Sequence, residues 1–338
     1  MAPLPVHVLT GFLGSGKTTL LAALVRQPAF ADTAVIVNEL GEVGLDHVLV
    51  APGSEDDVVL LDSGCLCCAL GNSLQETLEA LYYRRARGEL PAFARVVVET
   101  TGVADPGPIA ATLGLDSAIA RHYRLGSIVT VVDAVHACEQ LERFSEARRQ
   151  VAMADLLIVS KQDLAGHEAA DLDAMLQSLN PHAARACAVR GAIDGDAVLA
   201  DMREPRALER YASFDACEAG HQDHVHHDGT HHDHLAERGI ASTSIRLSRP
   251  LDWPRYADWV QWLQRSLGER LLRMKGAVRM ADGSVQALHA VLRLFSAPVP
   301  LPALPPALGE GVVVLITQGV APDVLAQASE RLTGSTPH

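Results

Sequence analysis

No apolar run in this chain reaches the ~18 residues that a membrane-spanning helix requires, so a bilayer partner is not expected. A basic stripe is missing as well. Lys and Arg number 28 against 41 Asp and Glu, a net charge of −13, which argues against nucleic acid as the main partner. Cysteine is scarce, with six among 338 residues, and reads as thiol or metal ligand rather than disulfide. No stretch resembling a signal peptide precedes the first apolar strand at Val6, so the expected location is cytoplasmic. No long internal repeat is evident. Hydrophobic residues at 48% and a mean hydropathy of +0.13 support a well-buried globular protein. The length favours two domains over one.

What is present is GFLGSGKTTL, Gly11 to Leu20, a complete GxxxxGKS/T pattern. Gly11, Gly14, Ser15, Gly16, Lys17, Thr18 and Thr19 would form a cup for phosphate. Its glycines let successive N–H groups turn toward phosphate oxygens. Lys17 supplies a point charge to the β- and γ-phosphates, and the Thr18 hydroxyl can ligate Mg²⁺. The setting agrees, with an apolar strand at Val6–Thr10 before the loop and helical spacing from Thr18 to Gln27 after it. That helix N-terminus adds its dipole to the anion site.

Further along, Val96-Val97-Val98-Glu99 is an apolar strand ending in an acid, with Gly102 three positions later. After a complete phosphate loop this reads as Walker B and switch. Glu99 approaches Mg²⁺, and the Gly102 N–H meets the γ-phosphate. Ser127–Val132 ends at Asp133, and Asp155–Val159 leads into Ser160-Lys161-Gln162-Asp163. In GTPases an NKxD element lies at such a strand end. Its Asp accepts two guanine donors and its Lys stem packs along the base. Lys161 and Asp163 are present, while Ser160 replaces the Asn. That replacement is expected to remove an amide bridging base and phosphate loop. An ordinary turn with a surface Lys and Asp is the alternative. Alternating strand and helix signals up to about Arg203 give an α/β fold, a mostly parallel sheet flanked by helices.

Between these elements lies Cys65-Leu66-Cys67-Cys68, preceded by an acidic loop with Glu39 and Glu42. The thiols could be small buried hydrophobes. With a carboxylate or imidazole they also suit tetrahedral Zn²⁺, or Co²⁺. Seven of the fifteen histidines fall between His221 and His234, interleaved with Asp223, Asp228 and Asp233. Such a tract cannot build a core. It is either a solvated linker or a loop binding several metal ions loosely. Beyond it, strand and helix signals with an Asp282-Gly283 hairpin turn describe a smaller α+β domain. Trp253, Tyr256, Val260, Leu263 and Leu267 would be the buried stripe of its first helix. The expected domains are residues 1–204, a His-rich linker at 205–239, and 240–338.

The motifs GFLGSGKTTL, VNELGEVGLD, GCLCC, ETTGVADP, TVVDA, SKQD and LNP, in this order, resemble the CobW family of GTP-dependent metallochaperones. RPLD, LLRMKG and LHAV are similar to its C-terminal domain. The resemblance implies GTP hydrolysis coupled to delivery of a transition metal, usually zinc and in some members cobalt, to a client metalloprotein. Cys65, Cys67 and Cys68 would then form the metal site, with Glu39 or Glu42 as further ligands. Phe12 stands where part of the wider P-loop class carries a second signature lysine, leaving Lys17 as the only lysine of this loop. The catalytic group expected is Lys17, Thr18 and Glu99. A metal buffer with a vestigial nucleotide site and a redox-sensing regulatory GTPase are the rival readings. Homo-oligomerisation is left open.

Overall fold

The computed structural model describes residues 3–37, 48–51, 59–61, 74–115, 118–165, 169–189, 191–199 and 239–334. Two compact units emerge, Met1–Leu172 with Ala183–Met202, and Asp173–His182 with Arg203–His338.

The first unit is built on an eight-stranded sheet of order β4-β3-β2-β5-β1-β6-β7-β8. These strands are β1 (Leu4–Gly11), β2 (Thr33–Val37), β3 (Val48–Ala51), β4 (Val59–Leu61), β5 (Arg95–Glu99), β6 (Tyr123–Asp133), β7 (Leu156–Ser160) and β8 (Ala184–Ala188). The six from β2 to β8 along that path pair in parallel. β3 and β4 add an antiparallel edge, which the sequence reading did not anticipate for 48–51. Crossovers are supplied by α1 (Lys17–Leu24), α2 (Leu74–Ala86), α3 (Gly107–Leu115), α4 (Ala137–Arg143), α5 (Ser145–Met153) and α6 (Ala169–Leu179), the last of which groups with the second unit from Asp173 onward, and α7 (Gly195–Leu199) follows β8.

The apolar run Val96-Val97-Val98 shows why these strands read as continuous hydrophobic stretches. A central parallel strand is covered on both faces, so every residue needs to be apolar. Val96 and Val98 pack with Leu78, Leu81 and Leu113 on one side. Val97 packs with Leu20, Leu21 and Leu24 on the other. The period of two divides one strand between two cores.

The second unit holds an antiparallel sheet of order β12-β11-β10-β14-β9, with β13 pairing β11. Its strands are β9 (Ile240–Arg246), β10 (Leu271–Arg279), β11 (Val285–Val291), β12 (Leu294–Phe295), β13 (Val299–Leu301) and β14 (Gly311–Gln318). Helices α8 (Trp253–Ser266) and α9 (Pro322–Thr333) pack on one of its faces. Asp252 caps α8 by accepting the Arg255 N–H at 2.8 Å, with Pro254 in the first turn where its missing donor costs nothing. The expected stripe of α8 is corrected at its start. Trp253 is 40% exposed, its indole N–H donating to Asp282 in the hairpin turn at 3.0 Å. Trp259, 1% exposed, is the anchor, and burial of a side chain that size stabilises by roughly 3 kcal/mol. Among the described residues no helix is long and apolar enough to cross a membrane.

Candidate nucleotide site

The phosphate loop, Glu99, Asp133 and Ser160-Lys161 lie at the C-terminal ends of β1, β5, β6 and β7, the edge where open α/β sheets bind their ligands. β1 runs into the loop at Gly11. A side chain at Gly11 would collide with the Val131 carbonyl oxygen on β6, so the backbone passes where only glycine fits. The loop ends at Gly16, whose φ of 95° places it in the left-handed region and caps α1. Thr18 and Thr19 on α1 are exposed, and Ser15 is buried.

Lys17 is enclosed by its own loop. It is 9% exposed, and its ammonium donates to the Gly11 carbonyl at 2.9 Å. The loop thus folds around its own cation, which prearranges the charge beside the cup.

Glu99 is 1% exposed at the end of β5, in register with Leu9 of β1. The Thr18 hydroxyl donates to its Oε1 at 2.7 Å. Strand pairing therefore delivers the acidic strand end to the first turn of α1. Gly102 follows, and a Cβ there would lie 2.8 Å from the Leu13 Cα. This segment runs against the phosphate loop so closely that a side chain is excluded.

On the other side, β6 and β7 end in register at Asp133 and Ser160. The Ser160 hydroxyl donates to the Ser15 carbonyl at 2.7 Å and sits 3.2 Å from the Val132 carbonyl. The link to the phosphate loop, expected to be lost with the Asn, is made by the shorter hydroxyl. Lys161 stands in the left-handed region at φ 57°, a conformation uncommon outside glycine and frequent at functional sites. Its ammonium donates to the Gly14 carbonyl at 2.7 Å and to Asp133 Oδ2 at 2.9 Å. Asp163 is exposed on the short helical turn that follows.

Asp133 carried no role in the sequence reading. It is 2% exposed and takes Lys161, His136 Nδ1 at 3.0 Å and the Val135 N–H at 3.0 Å. Burial alone would push its carboxyl up. The Lys161, His136 and Val135 contacts outweigh that and hold it below the usual carboxylate range. The carboxylate stays ionised and keeps Lys161 stretched across the loop. Its signal in the sequence was an acid closing an apolar strand, as at Glu99.

Glu39, Glu42, Cys65, Cys67 and Cys68 lie outside the described residues, as does the 221–234 tract. Among the described residues no group of His, Cys, Asp and Glu could hold a metal ion.

A six-stranded parallel core, a glycine-lined loop opening a helix and an acidic strand end hydrogen-bonded to that helix define a P-loop nucleotide-binding protein. Comparison with known families narrows the class. Residues 5–187 match the nucleotide-binding domain of CobW/HypB/UreG proteins, and residues 240–332 match the cobalamin synthesis protein CobW C-terminal domain. The chain belongs to the CobW/HypB/UreG family. It is 33% identical to the zinc chaperone YjiA of Escherichia coli, over 88% of this chain and 89% of that one. It is 38% identical to the zinc-regulated GTPase metalloprotein activator 1 of Schizosaccharomyces pombe, over 49% of this chain and 41% of that one. Among solved structures it resembles the Zn(II)-bound YjiA GTPase from E. coli, with TM-score 0.67 and 26% identity, over 98% of this chain and 99% of that one.

Proposed function

We propose that this protein hydrolyses GTP with Mg²⁺ and couples the nucleotide cycle to binding and delivery of zinc to a client metalloprotein. The observation that carries the reading is the 2.7 Å bond between the Thr18 hydroxyl and Glu99. It joins an intact phosphate loop to an acidic strand end, in a chain whose two parts match both CobW domains. A decayed nucleotide site would have no need to keep this pairing. The names of the relatives, zinc chaperone and zinc-regulated GTPase activator, support the cargo.

Two oxygen donors in hydrogen-bond contact suit a hard cation. Thr18 would bind Mg²⁺ directly and Glu99 would order its water. When bound, the ion supplies charge neutralisation on the phosphates. The chain's own part is to cup the triphosphate with Gly11, Gly14, Ser15, Gly16 and Thr19, to set Lys17 beside the β- and γ-phosphates, and to hold Glu99 against the Thr18 hydroxyl. Gly102 offers its N–H to the γ-phosphate. Lys161 lies along the guanine and Asp163 accepts its two donors. Zinc is cargo, held by Cys65, Cys67 and Cys68 with Glu39 or Glu42. Cobalt is a second cargo that such a donor set accepts.

Base choice gives a first test. GTP is expected to bind about tenfold to hundredfold better than ATP, the range for one bidentate contact. Asp163→Asn should remove most of that preference, while Ser160→Ala should weaken both nucleotides, because Ser160 holds the loop rather than the base. Competition binding measures this, and an unchanged preference in Asp163→Asn would sink the guanine assignment. The coupling itself is tested by the zinc affinity of the wild type with GDP and with a non-hydrolysable GTP analogue. A difference of about 5-fold to 150-fold is expected for an allosteric coupling. Equal affinities would leave no basis for nucleotide-driven delivery.

A further inference from the structure

Helix α5 reaches the segment after Glu99 with two consecutive side chains. Gln150 is 1% exposed, and its Nε2 donates to the Ala104 carbonyl at 2.9 Å and the Gly102 carbonyl at 3.3 Å. Two carbonyl partners fix which end of the amide carries the nitrogen. Arg149 Nε donates to Asp105 Oδ2 at 2.7 Å, while Asp105 Oδ1 accepts the Gly107 N–H at the start of α3. The strand of chain from Gly102 to Asp105 is gripped at both ends. Val103 between them is 46% exposed and takes no part in packing that could hold the segment.

The other end of the Gln150 amide explains little about stability. Its Oε1 is buried and has no hydrogen-bond partner among the described residues. Gln150 borders a cavity of about 10 Å³, lined also by Phe12 and Thr130, at the lower limit of the space one water needs. A buried acceptor without a donor is destabilising, so an apolar residue would serve a purely structural role better. What Gln150 provides that Met or Leu cannot is the double donation to the Gly102–Ala104 turn.

We propose that Gln150 is a positioning residue for the γ-phosphate. It holds the Gly102 and Ala104 carbonyls so that Gly102 stays against the phosphate loop at Leu13, within reach of the terminal phosphate, and thereby sets the discrimination of GTP from GDP. Arg149 fixes the far end of the same segment. GDP has no γ-phosphate, so its affinity does not depend on this placement. The assignment rests on the reading of the loop as a GTP site.

The test uses the full-length protein with Gln150→Met, which keeps the volume and removes both the donor and the unmet acceptor. Dissociation constants are measured for GDP and for a non-hydrolysable GTP analogue, together with kcat, KM and the thermal midpoint. The expected result is analogue affinity weakened about tenfold, as one well-placed hydrogen bond network allows, with GDP affinity within twofold of wild type. The midpoint should change little, because loss of the unmet acceptor offsets the two carbonyls left without their donor, and kcat should fall more than KM rises. Parallel loss of both affinities with a lowered midpoint would make Gln150 structural and overturn the proposal. So would an unchanged ratio. If Gln150→Met does not fold, the partly exposed Arg149→Met decides, with a selective loss of analogue affinity of about threefold expected and an unchanged ratio overturning the assignment. A wild type that binds neither nucleotide overturns the GTP reading and this assignment with it. Wild-type binding with an unaltered ratio in the variants overturns this assignment alone.

Discussion

Lys17→Ala is expected to reduce GTP hydrolysis by on the order of 10³-fold or more, while the protein remains folded. The γ-phosphoryl group carries its charge on peripheral oxygens in the transition state, and Lys17 is the cation of the phosphate loop nearest to them. Its ammonium rests on the Gly11 carbonyl at 2.9 Å, a neutral acceptor that anionic phosphate oxygens outcompete. The charge therefore moves a short distance within a preformed cup. The cost to the fold is small for the same reason. Removing Lys17 takes a donor from the Gly11 carbonyl, about 1 kcal/mol, and a longer contact at 3.5 Å from the Phe12 carbonyl, at the first position of α1, where Ala is a good helix former. Phosphate release and thermal unfolding are measured on the same preparation. Turnover at the wild-type rate in a folded variant would show that this loop is not the catalytic site.

The second large effect concerns the two metal-binding elements of the sequence. With Cys65→Ser, Cys67→Ser and Cys68→Ser combined, the difference in zinc affinity between the GDP and GTP-analogue states is expected to vanish. In a variant lacking residues 221–234 it should persist. In sequence the three thiols fall in the stretch that links β2 to β5, and Val37 at the end of β2 pairs in register with Glu99. Coupling through that segment obliges metal and nucleotide to alter each other's affinity by the same factor. The histidine tract lies outside that segment in the sequence, and its many adjacent imidazoles are expected to give weaker and more numerous sites. An imidazole ordinarily loses its ligand role by protonation near pH 6.5, so zinc on the tract should leave first on mild acidification, while thiolate-bound zinc is retained. Zinc titrations of wild type and both variants, in each nucleotide state and at two pH values, separate the elements. A nucleotide-dependent difference that survives without the cysteines would place the coupling elsewhere and defeat the delivery mechanism.

Much of the site was legible because its chemistry is written in contiguous residues. GFLGSGKTTL needs its glycines, its lysine and its threonine at fixed spacing within one loop, and that spacing is a property of the local backbone. The valine run before Glu99 reads as an apolar strand, and it is one, covered on both faces. The stripe read for α8 is found at Tyr256, Leu263 and Leu267, all buried, and at Val260, which packs against that core. It fails at its start, because Trp253 is drawn to the Asp282 turn by a hydrogen bond that helical spacing cannot foresee.

The sequence by itself determined the glycine-lined loop, the acidic strand end and the α/β alternation of the first unit. Each of these depends on neighbours along the chain. Tertiary structure alone decided the pairings that make a site of them. Thr18 meets Glu99 across 81 positions, Ser160 meets the Ser15 carbonyl across 145, and Gln150 meets Gly102 across 48. Which distant residues touch is set by the strand order β2-β5-β1-β6-β7 and by the register of parallel pairs, which align Leu9 with Glu99 and Asp133 with Ser160. No local pattern encodes that order. It follows from how two apolar cores close on either face of one sheet, and Asp133, Ser160 and Gln150 acquired their parts only when it did.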